Sequence, residues 1–175
     1  GAVAGGVART HAGIIGVGAP GATVHRTLGI AYWTVRREGE AARAAYEAAV
    51  KLDPSDARLF AELDQLREKL GDTAEARLQT LRTRLELVGE RDDCTVSLAE
   101  LYNQTGSPQA ALDTLLARRF HPWEGGEGKV LRQYTRAHLL LGQQALETGD
   151  PDVALEHFER DPFRTEKEKV CATRL

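Results

Sequence analysis

Apolar residues recur with helical spacing along most of the chain. Leu28 and Tyr32 are four residues apart in a first segment, and Ala42, Tyr46 and Ala49 follow on one face of a second. Spacings of three, four and seven residues indicate amphipathic helices. Because no segment alternates between apolar and polar residues over five positions, the chain is predicted to be all-α, with no sheet.

Glycines and prolines divide these helices into pairs. The predicted turns lie at Gly39, Gly71, Gly106 and Gly149. Gly71 and Gly106 are 35 residues apart, whereas Gly106 and Gly149 are 43 apart. The longer interval indicates an insertion of about nine residues, since a helix-pair repeat otherwise keeps its period. The sequence therefore predicts an insertion loop over 120–128 and four helix pairs, which lie approximately at 28–54, 55–88, 94–119 and 129–158.

Small residues recur where the two helices of a pair are expected to touch. A buried alanine allows two helix backbones to approach closely, and a bulky replacement overpacks such a contact. The alanines predicted to be buried in this way are Ala42, Ala49, Ala76, Ala111 and Ala154.

The two ends of the chain differ from the helical part. Residues 1–22 contain seven glycines and are predicted to be a loosely ordered lead-in, since glycine loses much backbone entropy on folding. Residues 16–21 fit a GxGxxG dinucleotide-binding motif. That motif requires a βαβ unit, and no second strand is predicted after it, so we favour the lead-in interpretation. Residues 161–175 are predicted to be a charged tail with a marginal helix over 164–172.

Composition excludes several classes of function. The chain has 175 residues, a hydrophobic content of 42% and a net charge of -3. This charge lacks the basic excess that nucleic-acid binding requires, and no apolar run is long enough to span a membrane. Cys94 and Cys171 show no CxxC spacing, so we expect reduced thiols and a cytoplasmic location. The first residue is not methionine, and we therefore expect a fragment or a processed chain.

Candidate catalytic and metal-binding residues form no recognisable constellation in the sequence. The closest set around a histidine is Glu156, His157 and Glu159, and adjacent helical residues point in different directions. No GxSxG motif surrounds a serine, and Cys94 has no nearby histidine to activate it. We therefore predict no catalytic residue, no metal site and no cofactor.

The order of small and aromatic residues resembles the tetratricopeptide repeat (TPR). It is clearest in LGIAYWTVRREGEAARAAYEAAVKLDP at residues 28–54, and in Leu141-Gly142, Ala145, Gly149, Ala154 and Phe158 of the fourth pair. The resemblance covers residues 23–160, which it implies are one repeat domain. It also implies an α-solenoid, in which about four helix pairs form a right-handed superhelix and the first helices line a concave groove.

Three further segments resemble a narrower family. RLFAELDQLREKLG, LELVGERDD and RRFHPWEGGEGKV are similar to the C-terminal repeat arrays of a bacterial family of unassigned function. In that family a large β-rich domain, suggestive of carbohydrate-active proteins, precedes the repeats. The dicarboxylate clamp that some TPR proteins use to hold chaperone C-termini is not reproduced, because Ile30 and Glu62 occupy positions where it places asparagines.

The TPR resemblance assigns polar residues of the first helices to the groove, where amide and guanidinium groups suit a peptide or acidic segment. These residues are Arg26, Trp33, Arg58, Gln65, Lys69, Glu100, Asn103, Gln104, Arg136 and Gln143. His121 and Trp123 of the insertion loop are further candidates, either to clamp a ligand or, for Trp123 with Phe120, to fill the space that the longer period leaves. We favour the structural role for the loop.

Two hypotheses about function follow. The first is a non-catalytic scaffold that binds a protein or peptide in its groove. The second is an accessory domain of a carbohydrate-processing protein whose activity lies in an upstream domain. In the second case the partner is a domain of the same polypeptide. Neither hypothesis includes nucleic acid or a membrane as a partner.

Overall fold

The computed structural model describes residues 21–121, 126 and 128–160. These residues form nine α-helices and one π-helical turn, with no strand among them, which confirms the all-α prediction over this part of the chain. The helices are α1 (Ala22–Ala31), α2 (Gly39–Leu52), α3 (Ala57–Leu70), α4 (Ala74–Arg82), α5 (Leu85–Glu90), α6 (Asp92–Gln104), α7 (Pro108–Leu116), α8 (Lys129–Thr148) and α9 (Pro151–Phe158).

The helices belong to two compact units, one ending at Leu70 and the other beginning at Gly71. In the first unit α1 packs on α2, and α2 packs on α3. In the second unit α4 and α5 pack on α6, followed by the successive contacts of α6 with α7, α7 with α8 and α8 with α9. The pairs α1–α2, α6–α7 and α8–α9 are those that the sequence predicts.

The turn between α1 and α2 differs from the prediction, which placed Gly39 in it. The chain after α1 widens into a π-helical turn over Tyr32–Arg36, and Arg37 takes the left-handed conformation with φ 60°. The Arg37 amide donates to the Tyr32 carbonyl five residues earlier, as in a π-helix, and the Glu38 amide donates to the same carbonyl, six residues earlier, at 3.0 Å. A π-helical hydrogen bond spans one residue more than an α-helical one, so this turn accommodates an extra residue. Gly39 is the first residue of α2.

Residues with positive φ mark the repeat period. Gly71, Gly106 and Gly149 have φ of 85°, 76° and 85°, which agrees with the turns predicted there. Arg37 lies 34 residues before Gly71 and occupies the same place in its repeat. Two of the glycine turns are closed by Ser107 and Asp150, whose amides each donate to a carbonyl five residues earlier, as in a Schellman motif.

The return helix predicted over 74–88 is divided into α4 and α5. Thr83 ends α4, and its hydroxyl donates to the Thr80 carbonyl at 2.7 Å. The break changes which side chains face inward, so Leu85 is 51% exposed while Leu87 and Val88 are buried. A continuous helix would have kept Leu85 on the same face as Leu81.

Each unit has its own apolar core. In the first unit Ala42, Tyr46, Leu63 and Leu66 form a buried cluster. In the second unit the buried cluster is Val96, Ala99, Ala111, Leu112, Leu115, Tyr134 and Ala137. Burial of four predicted alanines, Ala42, Ala49, Ala111 and Ala154, is confirmed.

Ala76 is exposed, so its predicted burial is wrong. It lies in the first turn of the short helix α4, where its amide donates to the Thr73 hydroxyl that caps the helix. No described helix is both long and apolar enough to cross a membrane.

Candidate functional site

Two helices of the first unit place the predicted groove residues side by side. Arg26 on α1 and Trp33 in the π-helical turn are seven residues apart, and Arg58, Gln65 and Lys69 follow one face of α3. Ion-pair and aromatic contacts join the two sets. We name the α1–α3 polar surface as these five residues together with Glu62.

Glu62 is the centre of this surface, although it is not one of the predicted groove residues. Arg26 donates to both of its carboxylate oxygens, from Nε and Nη2, at 2.6 Å each. Arg58 donates from Nε to Oε1 of the same carboxylate at 2.9 Å. The Arg26 and Glu62 side chains are 24% and 22% exposed, whereas that of Arg58 is 61% exposed. One carboxylate therefore holds two guanidinium groups.

The electrostatics of Glu62 follow from these contacts. Partial burial raises the pKa of Glu62, but hydrogen bonds from Arg26 and Arg58 outweigh that effect, so its pKa lies below the ordinary value. The hydrogen bond to Glu62 raises the pKa of Arg26. Burial, with the Glu62 charge nearby, raises the pKa of Tyr46 beneath the pair. The cluster thus keeps its ionised form at neutral pH.

The other end of the surface combines an aromatic ring with a cation. The Lys69 ammonium lies 5.9 Å from the centroid of the Trp33 ring, within the range of a cation–π contact. Trp33 is partly buried and packs against the core cluster of the first unit, and this packing restrains the position of its ring. Gln65 is exposed on α3 between Arg58 and Lys69.

In the second unit the predicted residues lie on α6 and α8. Gln104, Arg136 and Gln143 are exposed, and the Gln104 amide donates to Glu100 at 3.3 Å on the same helix. Arg136 and Gln143 are seven residues apart and share one face of α8. These four side chains are placed where a ligand can reach them.

Asn103 is different, because it is only 3% exposed. Its amide donates to the Gln133 carbonyl at 2.9 Å and to the Gln133 side-chain oxygen at 3.2 Å. A buried amide must find hydrogen-bond partners within the protein, and here it joins α6 to α8. The prediction that Asn103 lines an open groove is therefore wrong.

The start of the insertion loop is anchored to the turn between α5 and α6. The His121 amide donates to Asp92 at 2.8 Å, and Asp92 also pairs with Arg118 at 2.5 Å. Arg118 in turn donates to the Gly89 carbonyl at 2.6 Å. Phe120 packs against the core of the second unit, as the structural interpretation of the loop expects. Trp123 lies outside the described residues.

A polar cavity of about 370 Å³ adjoins this anchor and is lined by Glu90, Arg91, Asp92, Asp93, Arg118 and His121. Both of its arginines are already paired with its aspartates, Arg91 with Asp93 at 2.8 Å and Arg118 with Asp92, while Glu90 is an exposed carboxylate at the edge of the lining. Burial raises the pKa of Asp93, but the Arg91 hydrogen bond and charge prevail and lower it overall. The pairing of both guanidinium groups with aspartates favours an internal structural network over a ligand site.

Histidine and cysteine side chains of the described region form no metal-binding set. No group of three or more histidine, cysteine or acidic residues converges within that region. His138 and His157 do meet, with 3.0 Å between their Nδ1 atoms, and join α8 to α9. Cys94 is a buried free thiol.

Comparisons with known proteins agree with the repeat architecture. No protein-family model matches the chain. Among solved structures, the chain is similar to one titled "Crystal structure of MamA", a TPR-like protein, with a TM-score of 0.52 and 18% identity. The similarity covers 85% of this chain and 80% of that chain. At this level of identity it shows the fold alone, a TPR-type helical repeat. The narrower bacterial family stays a prediction.

Proposed function

We propose that the chain is a non-catalytic protein-interaction scaffold whose α1–α3 polar surface binds an extended acidic peptide or an acidic segment of a neighbouring domain. The observation that carries the proposal is the excess of cations on this surface, where Arg26 and Arg58 pair with the single carboxylate Glu62 and Lys69 lies over Trp33 at the other end. This surface has a charge of +2 in a chain whose formal net charge is -3. A local excess of that sign favours negatively charged ligands.

Arg58 is the side chain best placed to receive a carboxylate. Only its Nε bonds to Glu62, and the side chain is 61% exposed, so its terminal nitrogens are accessible to a ligand. Guanidinium groups bind carboxylates through paired, charge-assisted hydrogen bonds. Glu62 restrains Arg58 before a ligand arrives, which reduces the conformational entropy that binding has to remove.

The spacing along α3 indicates what kind of peptide fits. Arg58 and Lys69 are eleven residues apart on one helix, which corresponds to about 16 Å at 1.5 Å per residue. An extended peptide covers that distance in about five residues. The exposed Gln65 amide lies between the two cations and can bond to the peptide backbone, while Trp33 offers an apolar contact beside Lys69. The expected ligand has two acidic residues about five positions apart.

Charge reversal tests this assignment. The double variant Arg58→Glu with Lys69→Glu is compared with Lys51→Glu, an exposed position of α2 in the same unit. The probe is a labelled ten-residue peptide with two glutamates five positions apart, and its counterpart has glutamines at these positions. We expect the double variant to lose at least about tenfold in affinity for the acidic peptide, because two charge-assisted contacts become repulsive. Lys51→Glu should stay within about twofold. Equal affinity of the parent protein for both peptides would contradict the proposal.

The accessory-domain alternative places the acidic segment on an upstream domain of the same polypeptide. It uses the same surface and rests on the resemblance to the family with a β-rich domain before its repeats. A longer reading frame that encodes such a domain before Gly1 would favour it, and the peptide measurement above applies to both forms of the proposal.

A further inference from the structure

One side of α1 carries only exposed apolar residues. Val24 and Leu28 are 38% and 36% exposed, and Ala31 is exposed as well. Spacings of four and three residues place all three on one side of the helix. Arg26 lies two residues from both Val24 and Leu28 and therefore points to another side, so the α1–α3 polar surface is separate from this one. We name Val24, Leu28 and Ala31 the α1 apolar face.

The repeat period identifies the counterparts of these residues on α3. Leu59, Leu63 and Leu66 lie 12, 8 and 5 residues before the left-handed Gly71. The α1 apolar face has the same spacings before the left-handed Arg37, each longer by the one residue that the π-helical turn accommodates. The three leucines of α3 are buried, with exposed fractions between 2% and 5%. The positions that are exposed on α1 are therefore interface positions in the next repeat.

The leucines of α3 are covered by α2, the second helix of the preceding pair. α2 packs on α3, and Tyr46 of α2 joins Leu63 and Leu66 in one buried cluster. The Tyr46 ring also lies over Gly29 of its own helix pair, where even a methyl group would collide with it. Because it is enclosed by both helices, Tyr46 is only 7% exposed. The α1 apolar face thus has the positions that receive such a second helix.

α9, the last second helix of the described region, presents the matching side. Phe158 lies nine residues after the left-handed residue of its repeat, as Tyr46 does, and its ring covers Gly142 in the same way. Phe158 is nevertheless 43% exposed. Leu155, three residues earlier, is 54% exposed, whereas its counterpart Leu112 on α7, which packs on α8, is 4% exposed.

We propose that copies of the chain associate head to tail, with Leu155 and Phe158 of one copy packed on the α1 apolar face of a second copy. This contact pairs the same repeat positions as the contacts of α2 with α3 and of α7 with α8, so it continues the stacking already present within the chain. Removing these apolar side chains from water favours the association. A contact between two different surfaces leaves one of each unused, so further copies can add.

Sedimentation velocity of the full 175-residue chain over a series of concentrations tests the proposal. Leu28→Glu disables the α1 apolar face, and Leu155→Glu disables the matching side of α9. Both positions are exposed in the single copy, so neither change should disturb the fold, which circular dichroism verifies. The matched control is Leu116→Glu, because Leu116 is 50% exposed on α7 and its counterpart on α2 is already Glu47.

We expect the average mass of the parent protein and of Leu116→Glu to increase with concentration. Leu28→Glu and Leu155→Glu should each associate at least about tenfold more weakly, because a carboxylate without a partner is costly to bury in an apolar contact. An equimolar mixture of these two variants should form a dimer and nothing larger, since each variant retains the surface that the other lacks.

Three results would overturn the proposal. The first is a parent protein that stays monomeric at every concentration. The second is association that either Leu28→Glu or Leu155→Glu leaves unchanged. The third is a parent protein that associates while the mixture of the two variants stays monomeric, which would indicate a symmetric contact between two like surfaces.

Discussion

Arg37 is the one non-glycine residue of the described region with a positive φ, at 60°. The left-handed conformation brings Cβ close to the next carbonyl oxygen, and the three corresponding turns use glycine, which has no such contact. Replacing Arg37 by glycine removes the contact but also increases the entropy of the unfolded chain. We expect Arg37→Gly to raise the free energy of unfolding by up to about 1 kcal/mol in denaturant titrations.

The neighbouring residue is the control for that change. Arg36 lies in the π-helical turn and has no positive φ. Arg36→Gly should lower the free energy of unfolding by about 0.5–1 kcal/mol through helix propensity, and the loss of its contacts with Glu38 and the Tyr32 ring acts in the same direction. Opposite signs for the two variants would support the conformational argument. A loss of stability in both variants would mean that contacts of the Arg37 side chain stabilise the fold by more than its left-handed backbone conformation destabilises it.

His138 is a single residue whose protonation is coupled to folding. It is 6% exposed, lies with its Nδ1 3.0 Å from that of His157, and meets the edge of Tyr134 with ring centroids 4.6 Å apart. Burial lowers the pKa of His138 to about 4, and the positive charges of His157 and Arg160 contribute in the same direction. The neutral ring is therefore the form that packs between α8 and α9.

This pKa predicts a loss of stability in mild acid. The ordinary histidine pKa is 6.5, so between pH 6.5 and about 4 the unfolded chain binds a proton that the folded chain does not. The contribution is absent above pH 6.5 and grows as the pH falls, to at most about 3 kcal/mol near pH 4. Denaturant titrations at several pH values measure the slope for the parent protein and for His138→Gln. We expect a shallower slope in the variant, and identical slopes would show that His138 does not titrate in this way.

At the scale of the elements, small residues decide how closely two helices approach. Ala154 is 1% exposed in the contact of α9 with α8. Ala154→Leu adds three carbon atoms at a close contact, and we expect a loss of about 1–3 kcal/mol in the free energy of unfolding. Ala76→Leu is the matched control, because Ala76 is exposed on α4 and should change stability by less than about 0.5 kcal/mol. Equal losses of stability would contradict the assignment of Ala154 as buried and Ala76 as exposed.

The sequence predicted those elements whose signals are local. The span of α8 and the turns at Gly71, Gly106 and Gly149 follow from periodicity and glycine alone. The π-helical turn could not be predicted in this way, because its left-handed residue is an arginine. The division of α4 from α5 rests on a threonine and on which leucines find space inside, and both depend on tertiary contacts.

In the candidate site too, the sequence predicted only those features that have a local signal. Helical spacing placed Arg58, Gln65 and Lys69 on one face of α3, and the structure places Arg26 and Trp33 beside them. Periodicity does not distinguish an exposed amide from one buried between helices, which is why Asn103 was assigned wrongly. The contact of Arg118 with Asp92, which anchors the insertion loop, joins residues 26 positions apart and has no local signal.

At the scale of the whole molecule, the chain has two candidate binding elements, the α1–α3 polar surface and the insertion loop that contains Trp123. Lys69 and Gln65 are exposed, and the cation–π contact of Lys69 with Trp33 at 5.9 Å is worth about 0.5–1 kcal/mol at such a site. The double variant Lys69→Ala with Gln65→Ala should therefore change the free energy of unfolding by no more than about 1 kcal/mol. Truncating two interface residues often costs more than about 1 kcal/mol of binding each. We expect thermal melts to be nearly unchanged while affinity for the two-glutamate peptide falls at least about tenfold.

Trp123→Ala separates the two binding elements in the same assay. If the α1–α3 polar surface binds the peptide, this variant should keep the parent affinity, because Trp123 is not one of the six residues that form that surface. If Trp123→Ala abolishes binding and the double alanine variant does not, the loop is the binding element and the assignment to α1 and α3 is wrong. Salt adds an independent criterion, since binding through Arg58 and Lys69 should weaken as ionic strength rises, whereas binding through an indole should not.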